Sequence, residues 1–262
     1  MSDAVSLYSG GVTSFFATLR YLEAHPDDEV CLLFTDTMTE DADLYRFLDD
    51  AIEYLAPRFD NVWMERIADG RDIWEVFRDV RLLGNTRMDP CSRILKRELA
   101  ATWLAENTEP TTPIIFGYDW TELHRHERTA ARWAPRPVLS PLTEPPYRLK
   151  AEMLADLDTL GIEVPRLYRY GMSHNNCGGG CVKAGQGHFA HLLKVLPDVY
   201  AEWERNEQEL RHDLMADVSI LRDRTGAETT PLTLRDLRLR IEAGQPCDLW
   251  DVGGCGCFEG VA

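Results

Sequence analysis

The chain has 262 residues, 44% of them hydrophobic, with 44 acidic against 28 basic side chains and a net charge of −16. That is ample for one large globular domain, or one domain with an appended part. The acidic balance excludes non-specific wrapping of duplex nucleic acid, and no apolar run approaches the length of a bilayer span, so no membrane partner is expected.

Met1-Ser2-Asp3 opens no signal peptide, and a cytoplasmic location is expected. Ala4 to Tyr8 reads as a strand, and Ser9-Gly10-Gly11-Val12-Thr13-Ser14 as a turn into a helix beginning near Phe15. Such a strand–loop–helix unit offers backbone N–H groups, hydroxyls and a helix N-terminus to an anion, and so points to a nucleotide or pyrophosphate. A second strand, Val30 to Thr35, closes on Asp36-Thr37, and Leu44, Phe47, Leu48, Ala51, Ile52 and Leu55 fall at helical spacing before Pro57. Val62-Trp63-Met64 is a third strand. Asp89-Pro90 predicts an N-cap and first helical residue for a helix running through Trp103. Pro113 to Gly117 and Val138 to Leu142 are the fourth and fifth strands.

Strands alternating with helices predict an α/β fold, a mostly parallel five-stranded sheet with helices on both faces. Ligands of such sheets sit beyond the carboxyl ends of the strands, where Ser9, Asp36 and Gly117 fall. From about residue 149 the texture changes to helical and irregular: a helix through Leu160, a Gly/Asn-rich segment from Gly171 to Gly187, a long polar helix through about Met215, a helix from Thr233 to Ala243 and a Gly/Cys tail. The expected division is therefore 1–148, nucleotide-binding, and 149–262, cysteine-bearing.

Seven cysteines in a reducing compartment need a use other than disulfides. Cys31 sits in an apolar strand and reads as a small core residue. Cys177 and Cys181 bracket three glycines, Cys91 lies at the start of a helix, where the helix dipole is expected to favour the thiolate, and Cys255 and Cys257 lie in the tail. Cys91 with the Cys177/Cys181 pair can supply three ligands to an iron–sulfur cluster, with a fourth from Cys255 or Cys257. Structural zinc, completed by His174 or a tail cysteine, and a redox-active thiol pair are the other two readings. Two basic groups, Arg78 to Arg97 and Arg125 to Arg136, can focus an anionic substrate in an otherwise acidic protein.

Taken together, Ser9 to Ser14 resembles the S-G-G-x-D-S pyrophosphate loop of the PP-loop ATP pyrophosphatases, the adenine nucleotide alpha hydrolase superfamily. Phe34-Thr35-Asp36-Thr37 resembles the strand-end element of its phosphoadenosine phosphosulfate reductase-like branch. Cys91-Ser92-Arg93-Ile94-Leu95-Lys96 is similar to that branch's cysteine-plus-lysine segment, and Gly117 to Glu122 with Arg125 and Arg128 to its G-x-R-x-x-E-x-x-R region. The resemblance spans about residues 4 to 185 and implies a fold of the HUP/PP-loop type. It implies ATP with its pyrophosphate on Ser9, Gly10, Gly11, Val12, Thr13 and Ser14, adenine near Phe34, Asp36 and Thr37, Gly117 beside the nucleotide, and Mg2+ on the leaving pyrophosphate. Asp36, Arg93, Lys96, Glu122, Arg125 and Arg128 are the implied catalytic set, and Cys91, Cys177, Cys181, Cys255 and Cys257 the candidate ligands of a 4Fe-4S cluster.

Three departures bear on function. Thr13 stands where the pattern has Asp, Cys91 lacks a tandem partner between Pro90 and Ser92, and the reductase's C-terminal signature is missing. These argue against a standard sulfonucleotide (PAPS/APS) reductase and for a relative that adenylates a substrate oxygen for replacement by sulfur, as in tRNA thiolation or DNA phosphorothioation. A sulfur donor such as a cysteine desulfurase, and nucleic acid presented by a partner, are the implied partners. The reductase, and a nucleotide-binding redox or metal sensor or assembly subunit without catalysis, are the alternatives.

Overall fold

The computed structural model of the chain describes residues 2–224, 228–254 and 257. Five strands, β1 (Ala4–Leu7), β2 (Val30–Asp36), β3 (Val62–Ala68), β4 (Ile114–Ile115) and β5 (Val138–Leu139), form one sheet in the order β3-β2-β1-β4-β5. Every neighbouring pair is parallel, as the alternation of strands and helices predicts. Parallel strands are covered on both faces, and β2 is accordingly apolar at successive positions. Val30, Leu32 and Phe34 enter one core, with α1 (Val12–Ala24) and α2 (Ala42–Leu55), while Cys31 and Leu33 enter the other.

The sequence order reverses on either side of β1, which pairs with β2 on one edge and β4 on the other. This is the topological switch point, where strand ends splay and leave a crevice. The loops after β1 and β4 both open there.

Beyond β3 come α3 (Ile73–Asp79), α4 (Pro90–Ser92), α5 (Leu99–Asn107) and α6 (Leu123–Trp133). The single helix expected from Pro90 to Trp103 is instead α4 and α5 joined by a π-helical turn, Arg93–Glu98. The wider turn carries an extra residue, and Lys96 and Arg97 both end up buried beside Cys91 and Leu95. Asp89 does not cap this helix with its side chain; its carboxylate is drawn instead to Arg97 and Lys183.

The remaining elements are α7 (Lys150–Thr159), α8 (Arg166–Arg169), α9 (Gln186–Val195), α10 (Pro197–Leu214), the antiparallel hairpin β6 (Leu221–Asp223) and β7 (Thr230–Leu232), and α11 (Leu234–Glu242). The long polar helix expected before Met215 is thus two, broken where Pro197 starts α10 and cannot extend α9. The cores interleave the chain: Met153 and Leu157 of α7 pack with α1, whereas Ile73, Phe77, Cys91 and Leu95 pack with Leu167, Phe189, Tyr200 and Trp203. Among the described residues no helix is long and apolar enough to cross a membrane.

Glu207 of α10 is fully buried and accepts hydrogen bonds from the backbone N–H groups of Ile220 (2.9 Å) and Leu234 (2.6 Å), tying the hairpin and α11 to α10. Burial pushes its carboxyl from an ordinary 4.5 up to about 7. The folded state therefore holds this proton more tightly than the unfolded chain, so the stabilisation is full below pH 4.5 and is lost as pH rises towards 7. Urea titrations across this range should show the wild type losing up to about 3 kcal/mol relative to Glu207→Gln, which carries no such proton. Parallel curves for the two proteins would contradict the assignment. Comparing the two also removes the opposite contribution of His174 and His188, whose burial holds them below the usual imidazole range.

Candidate functional site

The loop between β1 and α1 is shaped by its own hydroxyls and by contacts from far along the chain. Gly10 takes a left-handed φ of 72°, which an L side chain rarely adopts. Ser14 Oγ donates to the Gly11 carbonyl (2.7 Å) and accepts from Ser9 Oγ (3.3 Å). No side chain caps α1 through its N-cap residue Gly11, so the helix end is offered by backbone N–H groups. The N–H of Val12 donates to the Tyr168 hydroxyl (3.3 Å), and the Asn175 amide donates to the Gly10 carbonyl (2.9 Å). Gly117, at the end of β4, lies so close that a Cβ there would stand 2.6 Å from the Ser14 backbone nitrogen. Only glycine permits this approach of the two loops at the switch point.

Ser9, Thr13, Ser14 and Gly117 line a cavity of about 110 Å³ beside this loop, and Lys96, Arg125 and Lys150 supply its cationic wall. A volume of that size suits phosphate groups more than a whole nucleotide. Arg125 is ion-paired with Glu122 and stands 4.8 Å over the Tyr118 ring.

Four thiols gather alongside. Cys91 from α4, Cys177 and Cys181 from the glycine-rich segment, and Cys257 from the tail all line one small cavity, together with Thr37, Lys96 and Trp203. Its free space is about 10 Å³. Cys177 has a left-handed φ of 52°, and its N–H donates to the Glu40 carboxylate. Such a backbone persists where surrounding contacts fix it. Glu40 also accepts from Thr37 Oγ1 (2.9 Å) and pairs with Lys96 Nζ (3.4 Å), almost wholly shielded from solvent. Arg97 donates to the Cys257 carbonyl (2.8 Å) and to Asp89 (3.2 Å), which secures the tail against the π-helical turn. Burial first, then the neighbouring Cys257 and Asp89, push the Cys91 thiol up to about 12. The thiolate favoured by a helix N-terminus is therefore not what this setting imposes, because desolvation outweighs the dipole. Among the described residues, no three His, Cys, Asp or Glu side chains are grouped around a single metal position.

Lys96 and Cys257 belong to both cavities, so the loop and the thiols share two walls. Of the other candidates, Thr37 lies on the thiol cavity, while Phe34 is buried in the main core against Tyr45 and offers no surface to a ligand. Asp36 accepts from the Met38 N–H and the Tyr45 hydroxyl, closing its own turn. The Val12 side chain is core, and only its N–H reaches the loop. Arg93 is paired with Glu98 (2.7 Å) on the helix surface, and neither it nor Arg128 lines the two cavities. Cys255 lies outside the described residues. His174 lines the loop cavity rather than the thiol cavity, and burial holds it down at about 4, a neutral imidazole.

Glu40, Asn175, Tyr168 and Lys150 were not foreseen from the sequence. Each reaches the site through side-chain contacts across the fold; Asn175, two residues before Glu40's partner Cys177, had the Gly/Asn-rich setting as its one local signal. Neither a scan of known protein families nor a search of curated proteins finds a match for this chain.

Proposed function

We propose that this chain is an ATP pyrophosphatase of the PP-loop type that adenylates a substrate oxygen so that sulfur can replace it. The observation that carries the reading is the shared wall: an anion-binding loop and four soft thiols meet at Lys96 and Cys257. Four thiolates are a donor set suited to an iron–sulfur cluster, and Cys91, Cys177, Cys181 and Cys257 would hold it. When bound, such a cluster supplies iron-held sulfur for transfer. The limited space between the thiols favours, as a second reading, one zinc ion on the same sulfurs.

ATP enters as its magnesium complex, with its pyrophosphate on the N–H groups of α1 and the hydroxyls of Ser9, Thr13 and Ser14. A substrate oxygen attacks the α-phosphorus, a new O–P bond forms, and the bond to the β-phosphate oxygen breaks to release pyrophosphate. Lys96, held by Glu40, and Arg125, held by Glu122, are positioned to offset charge on the transferring phosphorus. The outer sulfur of a donor persulfide, such as a cysteine desulfurase carries, then displaces AMP from the adenylated position, and a thiol reductant splits the resulting disulfide to leave sulfur in place of oxygen. A nucleic-acid acceptor would be brought by a partner, and the reaction belongs in the cytoplasm, where thiols stay reduced.

Calorimetry of ATP binding tests the loop. Ser9→Ala with Ser14→Ala should weaken affinity about tenfold or more, each hydroxyl contributing a charge-assisted hydrogen bond. Equal affinity in a variant that melts like the wild type would remove the loop from the reading.

A further inference from the structure

A larger cavity lies next to the loop and is accounted for by neither the loop nor the thiols. It measures about 610 Å³, a size suited to a small organic ligand. Four of the chain's seven histidines line it, His124, His174, His188 and His191, together with Arg125 and Lys183. In a chain with 44 acidic residues, Glu122 is the one carboxylate among the described residues of this lining, and it is held by Arg125. The cavity thus collects cations and imidazoles in a protein whose overall charge is strongly negative.

Its position links both halves of the site. Glu122, Arg125 and His174 are walls it shares with the loop cavity. On the other side, the Lys183 N–H donates to Cys181 Sγ (3.4 Å), next to the thiols. The tail completes the enclosure: Gly187 N–H donates to the Asp251 carbonyl (2.9 Å), and Gly254 N–H to the Lys183 carbonyl (3.3 Å), three residues before Cys257.

The histidine tautomers narrow the ligand. His188 Nε2 lies 2.7 Å from the Gly179 carbonyl, and His191 Nε2 2.7 Å from the Tyr170 carbonyl. A carbonyl only accepts, so each Nε2 carries its proton and donates, leaving Nδ1 of a neutral ring as an acceptor. Burial holds His174 and His188 below the usual imidazole range, in keeping with neutral rings. Arg125, paired with Glu122, and Lys183, paired with Asp89 (3.5 Å), each keep further N–H donors that suit phosphate oxygens, while Nδ1 of a neutral ring suits O–H or N–H groups.

We propose that this cavity is the acceptor site and that it takes a phosphate ester bearing free hydroxyl or amino groups. The role as acceptor rests on the proposed function above; the binding chemistry does not.

The test is calorimetry of ribose 5-phosphate, uridine 5′-monophosphate and a uridine trinucleotide, each with and without saturating α,β-methylene-ATP, which separates free small esters from a strand. At least one should bind with the ATP analogue present, and His191→Ala with Lys183→Gln should weaken it about tenfold while ATP-analogue affinity holds. On the wild-type protein, the imidazole NMR signals of His124 and His191 should shift with the same probe, a readout that does not depend on the variant folding. Binding unchanged in the variant, no binding by any probe, or displacement of the probe by the ATP analogue would each overturn the proposal; displacement would give the cavity to the nucleoside of ATP. A chain that ignores the ATP analogue but binds a probe in this way would defeat the proposed function and leave the phosphate-ester site standing.

Discussion

Cys91→Ala is expected to reduce iron and inorganic sulfide to background in protein isolated without oxygen, while the fold is retained. Cys91 lies on α4 at the edge of a well-filled core, and alanine there removes one sulfur atom, a modest loss of packing. Its removal from the cavity leaves three of the four thiols. Cys31→Ala and Cys247→Ala are the matched controls, because Cys31 is sealed inside the sheet and Cys247 faces the Gln245 carbonyl, and neither lines the cavity. Both should keep the wild-type iron and sulfide. Iron unchanged in Cys91→Ala would defeat the ligand assignment, and colourless wild-type protein with one zinc per chain would replace the cluster by the second reading.

Gly180→Ala is expected to destabilise the protein by about 3 kcal/mol, the upper end for overpacking a filled core. A Cβ on Gly180 would stand 2.1 Å from Cε2 of Trp203. That indole has no room to retreat: it packs edge-on to Trp74 at 5.1 Å and against Phe189 at 5.8 Å, and it is 3% exposed. Since Gly180 lies between Cys177 and Cys181 and Trp203 lines the thiol cavity, the same change should loosen the thiols as well as the core. Combining Gly180→Ala with Trp203→Leu should cost less than the sum of the single changes, because the smaller side chain vacates the contested space. Urea denaturation of the four proteins measures this. Wild-type stability in Gly180→Ala would mean that the segment does not rest on the indole.

The parallel sheet was legible because its signals are local. Val30 to Phe34 and Ile114 to Phe116 are apolar runs bounded by polar turns, and Ser9 to Ser14 is a turn with a helix behind it. The π-helical turn at Arg93–Glu98 was not legible, since residues of ordinary helix propensity occupy it and burial of Lys96 and Arg97 depends on partners elsewhere, Glu40 and Asp89. Nor was the hairpin of β6 and β7, two strands of three residues each, held to α10 by one buried carboxylate. Phe34 misled in the other direction: at a strand end it looks available to an adenine ring, yet alternation along β2 turns it into the core.

The amino-acid order alone determined a parallel α/β sheet, a glycine-bearing turn after its first strand and three sets of cysteines in polar surroundings, because strand alternation, turn chemistry and helix periodicity act over a few residues. Only the tertiary structure decided that Cys91, Cys177, Cys181 and Cys257 line one cavity, that it shares Lys96 with the loop, and that four histidines enclose a chamber beside both. Those groupings depend on how α4, the glycine-rich segment and the tail pack on one another, through contacts such as Arg97 to Cys257 and Asn175 to Gly10 that span more than 150 residues of chain.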